Sequence, residues 1–206
     1  MILKNYYYWF ENVVNDYMCE KIIQYGNSLR EEVAATGDQA SQNMTPEAIS
    51  KLKKEMRNSN VSWINEKWLY DMISPYVDKA NKDAGWNFHI DYVEPVQFTK
   101  YKLNQYYNWH ADSSEKIINN PNDLNFHGKV RKLSCIVFLS NPSDYTGGQL
   151  KFDFRNNAVG CNIQEIKQNG KGNMIVFPSF LWHKVFPVLS GERYSLVSWY
   201  IGKPFK

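Results

Sequence analysis

Residues 86–92 read WNFHIDY. Trp86, Phe88, Ile90 and Tyr92 alternate with Asn87, His89 and Asp91. Side chains two apart share one face of a β-strand, whereas a helix brings together those three and four apart. Upstream the spacing is helical: in NEKWLYDMISPYVDKANKDAG, residues 65–85, the apolar Leu69, Met72, Ile73, Tyr76, Val77 and Ala80 form one stripe. The period therefore changes at Trp86. It divides the chain into a helical buttress over 1–85 and a β core over 86–206.

Downstream of Tyr92 come VQFTKYKL, YYNWHA, KLSCIVFL, GQLKFDF, NMIVFP, HKVFPV and RYSLVSWY, each short and rich in β-formers. Turn-forming clusters such as NPSDYTGG and KQNGKGN punctuate them. Many short strands at this spacing read as a sandwich or barrel. The expected class is α+β, mainly β, with a jelly-roll core. Before it, a helix is expected from Asn15 or Asp16 through YMCEKIIQYGNSLREEVAA, stopping by Gly37. TGDQASQNMT follows as a loop, and TPEAISKLKKEM as a short helix with Thr45 as cap and Pro46 at its first position. In the helix over 65–85, Asn65 is the expected cap, Gly85 the stop and Pro75 a kink or break.

A chain of 206 residues reads as one domain, or one domain plus an appendage, and is taken as a single domain over 1–206. The net charge of +3 is too mild for a nucleic-acid partner. The three cysteines, Cys19, Cys135 and Cys161, form no CxxC pair and are odd in number, which fits a reducing compartment. The N-terminus lacks a signal-peptide pattern, and no apolar run is long enough to span a bilayer. The expectation is a cytoplasmic protein with no membrane partner.

Two His-x-Asp pairs occur, His89 with Asp91 and His110 with Asp112. On a strand either pair would share a face. A third histidine, His183, lies far downstream in FPSFLWH. Two imidazoles and one carboxylate on one side of a metal leave open positions for other ligands, the pattern of non-haem Fe(II) sites. Arg193 follows His183 by ten residues, on what reads as an adjacent strand. An arginine in a β core needs an anion, supplied by an internal carboxylate or by a ligand. His89-x-Asp91 reads as a solvated strand face and His127 as a loop residue.

QFTKYKLNQYYNWHADS, RKLSCIVFLSNPSDYTGGQLKF and GNMIVFPSFLWHKVFPVLSGERYSLVSWYIGKPF together resemble the Fe(II)- and 2-oxoglutarate-dependent dioxygenases, specifically the prolyl 4-hydroxylase-like branch and its PKHD-type hydroxylases. The resemblance covers the last half of the chain. It implies a double-stranded β-helix in which His110, Asp112 and His183 hold the iron. It implies that Arg193, Tyr101 and Ser195 hold 2-oxoglutarate, and that Tyr107, Arg131 and Trp199 contact substrate. No catalytic side chain is implied beyond the metal site. The implied reaction is a procollagen-proline 4-dioxygenase-like hydroxylation that uses O2 and releases succinate and CO2. The substrate is a peptidyl proline or a related aliphatic C–H, with a free amino acid or small metabolite as the alternative. Ascorbate is the accessory that the resemblance allows. Asp112 separates the chain from halogenases, which lack that carboxylate.

There are departures from the family pattern. Phe138 stands where some relatives have tyrosine, Asn104 stands where glycine is frequent, and the long polar segment between Asp112 and Arg131 reads as a lid or substrate loop. Three rivals stay open at this point. Nucleic-acid demethylases of the superfamily carry a second arginine six residues after the first, where this chain has Trp199. The others are a catalytically silent jelly-roll binding module and a cupin-like zinc or nickel site.

Overall fold

A computed structural model describes residues 3, 5–34, 45, 51, 55–113, 117–155, 163–167 and 170–205. In chain order its elements are β1 (Tyr8–Phe10), α1 (Asp16–Ser28), β2 (Glu32–Val33), β3 (Arg57–Asn58), β4 (Asn60–Ile64), α2 (Lys67–Asp83), β5 (Tyr92–Val93) and β6 (Val96–Tyr101). They continue with β7 (Tyr106–His110), β8 (Val130–Phe138), β9 (Tyr145–Gly147), β10 (Leu150–Asp153), β11 (Ile163–Ile166), β12 (Met174–Pro178), β13 (Trp182–Val185), β14 (Val188–Gly191) and β15 (Arg193–Gly202). Strand pairing is antiparallel throughout these ladders. The larger sheet runs β1-β12-β8-β15-β6-β4-β2, with β5 also on β15; the smaller runs β11-β10-β13-β7-β3.

β8 shows why the larger sheet sits in the middle. Its sequence VRKLSCIVF is apolar on both faces. Leu133, Cys135 and Val137 point to one side, where α1 supplies Cys19 and Ile22 and α2 supplies Leu69, Ile73, Val77 and Ala80. Ile136 and Phe138 point to the other, where the smaller sheet supplies Leu150, Phe152, Ile166 and Val185. Each fully buried aliphatic or aromatic side chain contributes about 1.5–3 kcal/mol, so β8 is held from both sides. The expected mainly-β jelly roll with buttressing helices is what the chain forms. No described helix is long and apolar enough to cross a membrane. Burial pushes the Cys135 thiol up to about 12 and the Cys19 thiol up to about 11, as expected of core cysteines; Cys161 lies outside the described residues.

The N-terminal half departs from a purely helical reading. β1 and β4 join the larger sheet and β3 joins the smaller one. α1 begins at the expected cap, Asn15, whose side chain accepts from Met18 N at 2.9 Å, but it ends at Ser28. Glu32 and Val33 pair instead with Val61 and Asn60, and this ladder outweighs the helix-forming residues around it. The expected stop at Gly37, the loop after it and most of the helix over 45–56 lie outside the described residues, although Lys51, Glu55 and Met56 are helical.

α2 is capped by the Glu66 backbone rather than by Asn65, whose Oδ1 accepts from Tyr70 Oη at 2.7 Å. It continues through Pro75. Pro75 is exposed, so water can satisfy the carbonyl it leaves unpaired. Gly85 follows with φ of 75°, the left-handed conformation expected after a helix end.

The residues that revealed the change of period are themselves not strand before Tyr92. Asn81 replaces the ladder at Phe88: its Oδ1 accepts from Phe88 N at 2.9 Å and its Nδ2 donates to Phe88 O at 2.8 Å. Asn87 adopts φ of 50°, which breaks the extended conformation. Trp86 instead closes the helix-side core and donates its indole N–H to Asn5 O at 2.8 Å.

At the crossing of α1 over β6, a Cβ on Gly26 would lie 2.5 Å from the Phe98 ring. Gly26→Ala should therefore destabilise the fold by about 1–3 kcal/mol through overpacking, although alanine is the better helix former. Equilibrium denaturation checks this, and a stabilised variant would refute the tight crossing.

Candidate metal centre and cosubstrate pocket

β7 and β13 lie side by side, with His110 registered opposite His183. Asp112 follows two residues after His110, where β7 has ended. The ligating atoms of His110, Asp112 and His183 all lie within 4.8 Å of one another, and they form the single such cluster among the described residues. Each Asp112 oxygen is 3.6 Å from an imidazole Nε2, Oδ1 from His110 and Oδ2 from His183. His110 Nδ1 is 2.7 Å from Asn108 O and His183 Nδ1 is 2.9 Å from Leu181 O. These bonds place the ring proton on Nδ1 and leave the Nε2 lone pairs free.

Ser134 Oγ donates to Asp112 Oδ2 at 2.8 Å and sits 2.8 Å from Ser179 Oγ, which orients the carboxylate from below. Burial opposes ionisation of Asp112, but His183, His110 and Arg131 outweigh it and hold the carboxyl far below its usual range. Burial, then the neighbouring His110, pushes the His183 imidazole down to about 4. An ionised carboxylate and a neutral imidazole are the forms that ligate metals.

The triad opens into a cavity of about 370 Å³ of empty space, partly open to solvent. Arg193, Ser195, Val197 and Trp199 of β15 line it, with Gln97 and Tyr101 of β6, Tyr107 of β7 and Arg57 of β3. Arg193 does not lie on a strand adjacent to His183, as the spacing suggested. β14 intervenes, and β15 belongs to the opposite sheet, so the guanidinium reaches the cavity from across the core. Arg193 is 1% exposed. Its Nη1 donates to Ser195 Oγ at 3.4 Å, while Nε and Nη2 are buried without partners and no described carboxylate forms an ion pair with it. Tyr101 and Phe138 flank it, with ring centroids 5.3 and 5.7 Å from the guanidinium carbon. A buried guanidinium in this state calls for an anion, and a planar carboxylate matches its paired donors.

Of the residues singled out in the sequence, His110, Asp112, His183, Arg193, Tyr101, Ser195, Tyr107 and Trp199 all line this one cavity. Arg131 does not. Its Nε and Nη2 grip the two oxygens of Glu94 at 2.6 Å each, and its guanidinium carbon lies 3.9 Å from the centroid of the Trp199 ring. Asn104 adopts φ of 62°, a left-handed conformation that asparagine tolerates and that glycine also takes readily. His89 pairs with Asp91 at 3.0 Å on an exposed edge, apart from the triad. His127 lies in a loop closed by Ile118 N to Lys129 O and Gly128 N to Ile118 O, at 2.8 and 2.9 Å. Arg57, Gln97, Glu94 and the Ser134–Ser179 pair went unforeseen, because only the tertiary fold brings them to the site.

The family model described as "2OG-Fe(II) oxygenase superfamily" matches residues 96–201, which span the triad and Arg193. The chain belongs to this superfamily. Among its relatives, a PKHD-type hydroxylase of Alteromonas mediterranea is 34% identical over 108 residues, covering 52% of this chain and 43% of that protein. The chain thus spans less than half the length of such curated relatives. A putative prolyl 4-hydroxylase of Acanthamoeba polyphaga mimivirus is 23% identical over 94% of this chain and 73% of its own length. The fold is shared with the viral collagen prolyl hydroxylase of Paramecium Bursaria Chlorella virus-1, solved with 2OG, at a TM-score of 0.66 and 20% identity over 97% of both chains. It is also shared with a Trichoplax adhaerens prolyl hydroxylase solved with a hypoxia inducible factor peptide, at a TM-score of 0.66 and 19% identity over 96% of this chain and 84% of that one.

The site fits the group that the superfamily uses. Two imidazole nitrogens and one carboxylate suit Fe(II) with positions left open, and the unpaired Arg193 suits the far carboxylate of 2-oxoglutarate. Arg193→Ala should weaken 2-oxoglutarate binding by about 2–5 kcal/mol while leaving Fe(II) binding nearly unchanged. Anaerobic titration, followed by the metal-to-ligand charge-transfer band, separates the two affinities. Equal cosubstrate affinity in the variant would refute the clamp. In His110→Ala the band should be absent at concentrations that saturate the wild type.

Proposed function

We propose that this protein is an Fe(II)- and 2-oxoglutarate-dependent hydroxylase acting on a peptidyl proline or a closely related aliphatic C–H. The observation that carries this reading is the unpaired, buried Arg193 in the same cavity as the His110–Asp112–His183 triad. When bound, Fe(II) and 2-oxoglutarate together supply the activation of O2 that side chains lack, with succinate and CO2 as co-products. His110, Asp112 and His183 hold the metal on one side. Arg193, assisted by Ser195 and walled by Tyr101 and Phe138, anchors the cosubstrate. Ile136, Val185 and Val197 keep its surroundings apolar.

The substrate side is aromatic. Trp199 and Tyr107 line the cavity, and Trp63, 45% exposed, lies 6.2 Å from Trp199 between ring centroids. Flat apolar rings suit the puckered face of proline. The Trp199 Nε1–H is buried and has no partner, so it calls for an acceptor. A peptide carbonyl supplies one, which favours an acylated proline over an isolated hydrocarbon. The peptide-bound Trichoplax relative supports the same substrate class. Arg131, locked to Glu94, acts here as a shelf beneath Trp199 rather than as a direct substrate contact.

Incubation with proline-rich peptides, Fe(II) and 2-oxoglutarate should yield a +O product by mass spectrometry, with matching succinate. A peptide panel that gave succinate but never a +O product would reject the prolyl substrate. Trp199→Phe keeps the ring and loses the N–H. It should lower kcat/KM for the peptide by about tenfold, the worth of one buried hydrogen bond of about 1–1.5 kcal/mol. Succinate formed without peptide should be unaffected.

A further inference from the structure

Arg57 belongs to none of the roles above. It is 5% exposed, lies at the edge of the smaller sheet, and has no carboxylate within ion-pair distance among the described residues. A buried cation so placed is costly unless the fold uses it. What it touches indicates the use. β3 pairs with β7 so that Arg57 stands opposite Tyr107. The guanidinium carbon lies 4.4 Å from the Tyr107 ring centroid. On its other side, the Tyr107 ring lies parallel to the imidazole of His110, with centroids 3.4 Å apart and planes at 10°. Guanidinium, phenol and imidazole thus form a three-layer stack that ends on a metal ligand.

We infer that Arg57 is a positioning residue for the metal centre, acting through Tyr107 on His110. The stack is anchored at its outer end. Arg57 Nε donates to Ser59 Oγ at 2.8 Å and Nη1 donates to Gln97 Oε1 at 3.3 Å. Gln97 is in turn held by donating from Nε2 to Thr99 Oγ1 at 2.7 Å. Gln97 and Thr99 lie on β6 in the larger sheet, so Arg57 braces one sheet against the other beside the triad. The Asn108 carbonyl restrains His110 within its ring plane. The Tyr107 face restrains the tilt of that plane. Together they aim Nε2. Arginine suits the outer layer because its planar cation stacks on a ring while its edge donors stay bonded; a lysine cannot do both.

This rests on the metal-centre reading, and a Co(II) titration of the apo-protein tests it without turnover. Arg57→Met keeps the side-chain length and loses the stack and its anchors. It should weaken Co(II) binding by about tenfold, as loss of an outer support of a ligating histidine does, and alter the visible d–d bands. Arg57→Lys, which keeps the charge, should show the same altered bands and covers the case in which Arg57→Met fails to fold. Tyr107→Phe keeps the ring and should retain the wild-type spectrum. Tyr107→Leu should match Arg57→Met, and the double variant should be no worse than either alone. Wild-type bands and affinity in Arg57→Met or Arg57→Lys, with only the melting temperature lowered, would overturn the inference and leave the metal centre standing. Wild-type protein that takes up no Co(II) would overturn both.

Discussion

Burial on both faces of the larger sheet is the constraint on which the rest of the structure depends. β8 and β15 sit at its centre and must send alternate side chains into two different cores. The helix-facing set is apolar, with Leu196 and Tyr200 of β15 beside Leu133, Cys135 and Val137 of β8. The inward set is mixed. It includes Ser134, Arg193, Ser195 and Trp199, polar groups in a place where water is scarce. The helices make that mixture tolerable. Because the outer face is fully packed, the inner face can hold unsatisfied donors without loss of the fold.

The opposing sheet supplies complementary chemistry. β7 and β13 bring two imidazoles into register, and the chain just beyond β7 adds a carboxylate. The register of this ladder shifts beside the triad, where the two steps from His183 to Val185 on β13 oppose the three from Tyr107 to His110 on β7. Such irregularities re-aim side chains next to functional sites. One wall of the cavity therefore attracts a cation and the other an anion. The superfamily's two groups, a metal and a dicarboxylate that chelates it, satisfy both walls at once. A silent binding module would gain nothing from this arrangement, since it leaves donors of Arg193 and Trp199 unpaired at a cost in stability.

The triad and Arg193 were legible because each carries chemistry that few other roles explain, although β7 ends at His110 and the chain just beyond it, rather than strand alternation, sets Asp112 beside the imidazoles. Distinguishing His110 from His89 required the surrounding pattern, since both pairs have identical spacing. The resemblance implies a substrate contact at Arg131, and the sequence does not show that Glu94 waits opposite it. Arg57 was invisible for a related reason. It closes the run of basic residues over 51–57, and only the switch of the chain from β3 to β4, between the two sheets, carries it inside.

The sequence by itself determined the mainly-β class, the change of period near residue 86, the core strands and the three residues of the candidate metal cluster. These depend on local alternation and on residue chemistry, both of which are written along the chain. Tertiary structure decided where α1 stops, that residues 86–91 turn away from strand, which sheet presents Arg193, and which arginines are already paired. Those outcomes depend on contacts that local pattern does not show, at seven residues' separation for Asn81 with Phe88 and far apart in the chain for Glu32 with Val61 and Arg57 with Gln97. Their energies exceed the local preferences they override, and only folding brings the partners together.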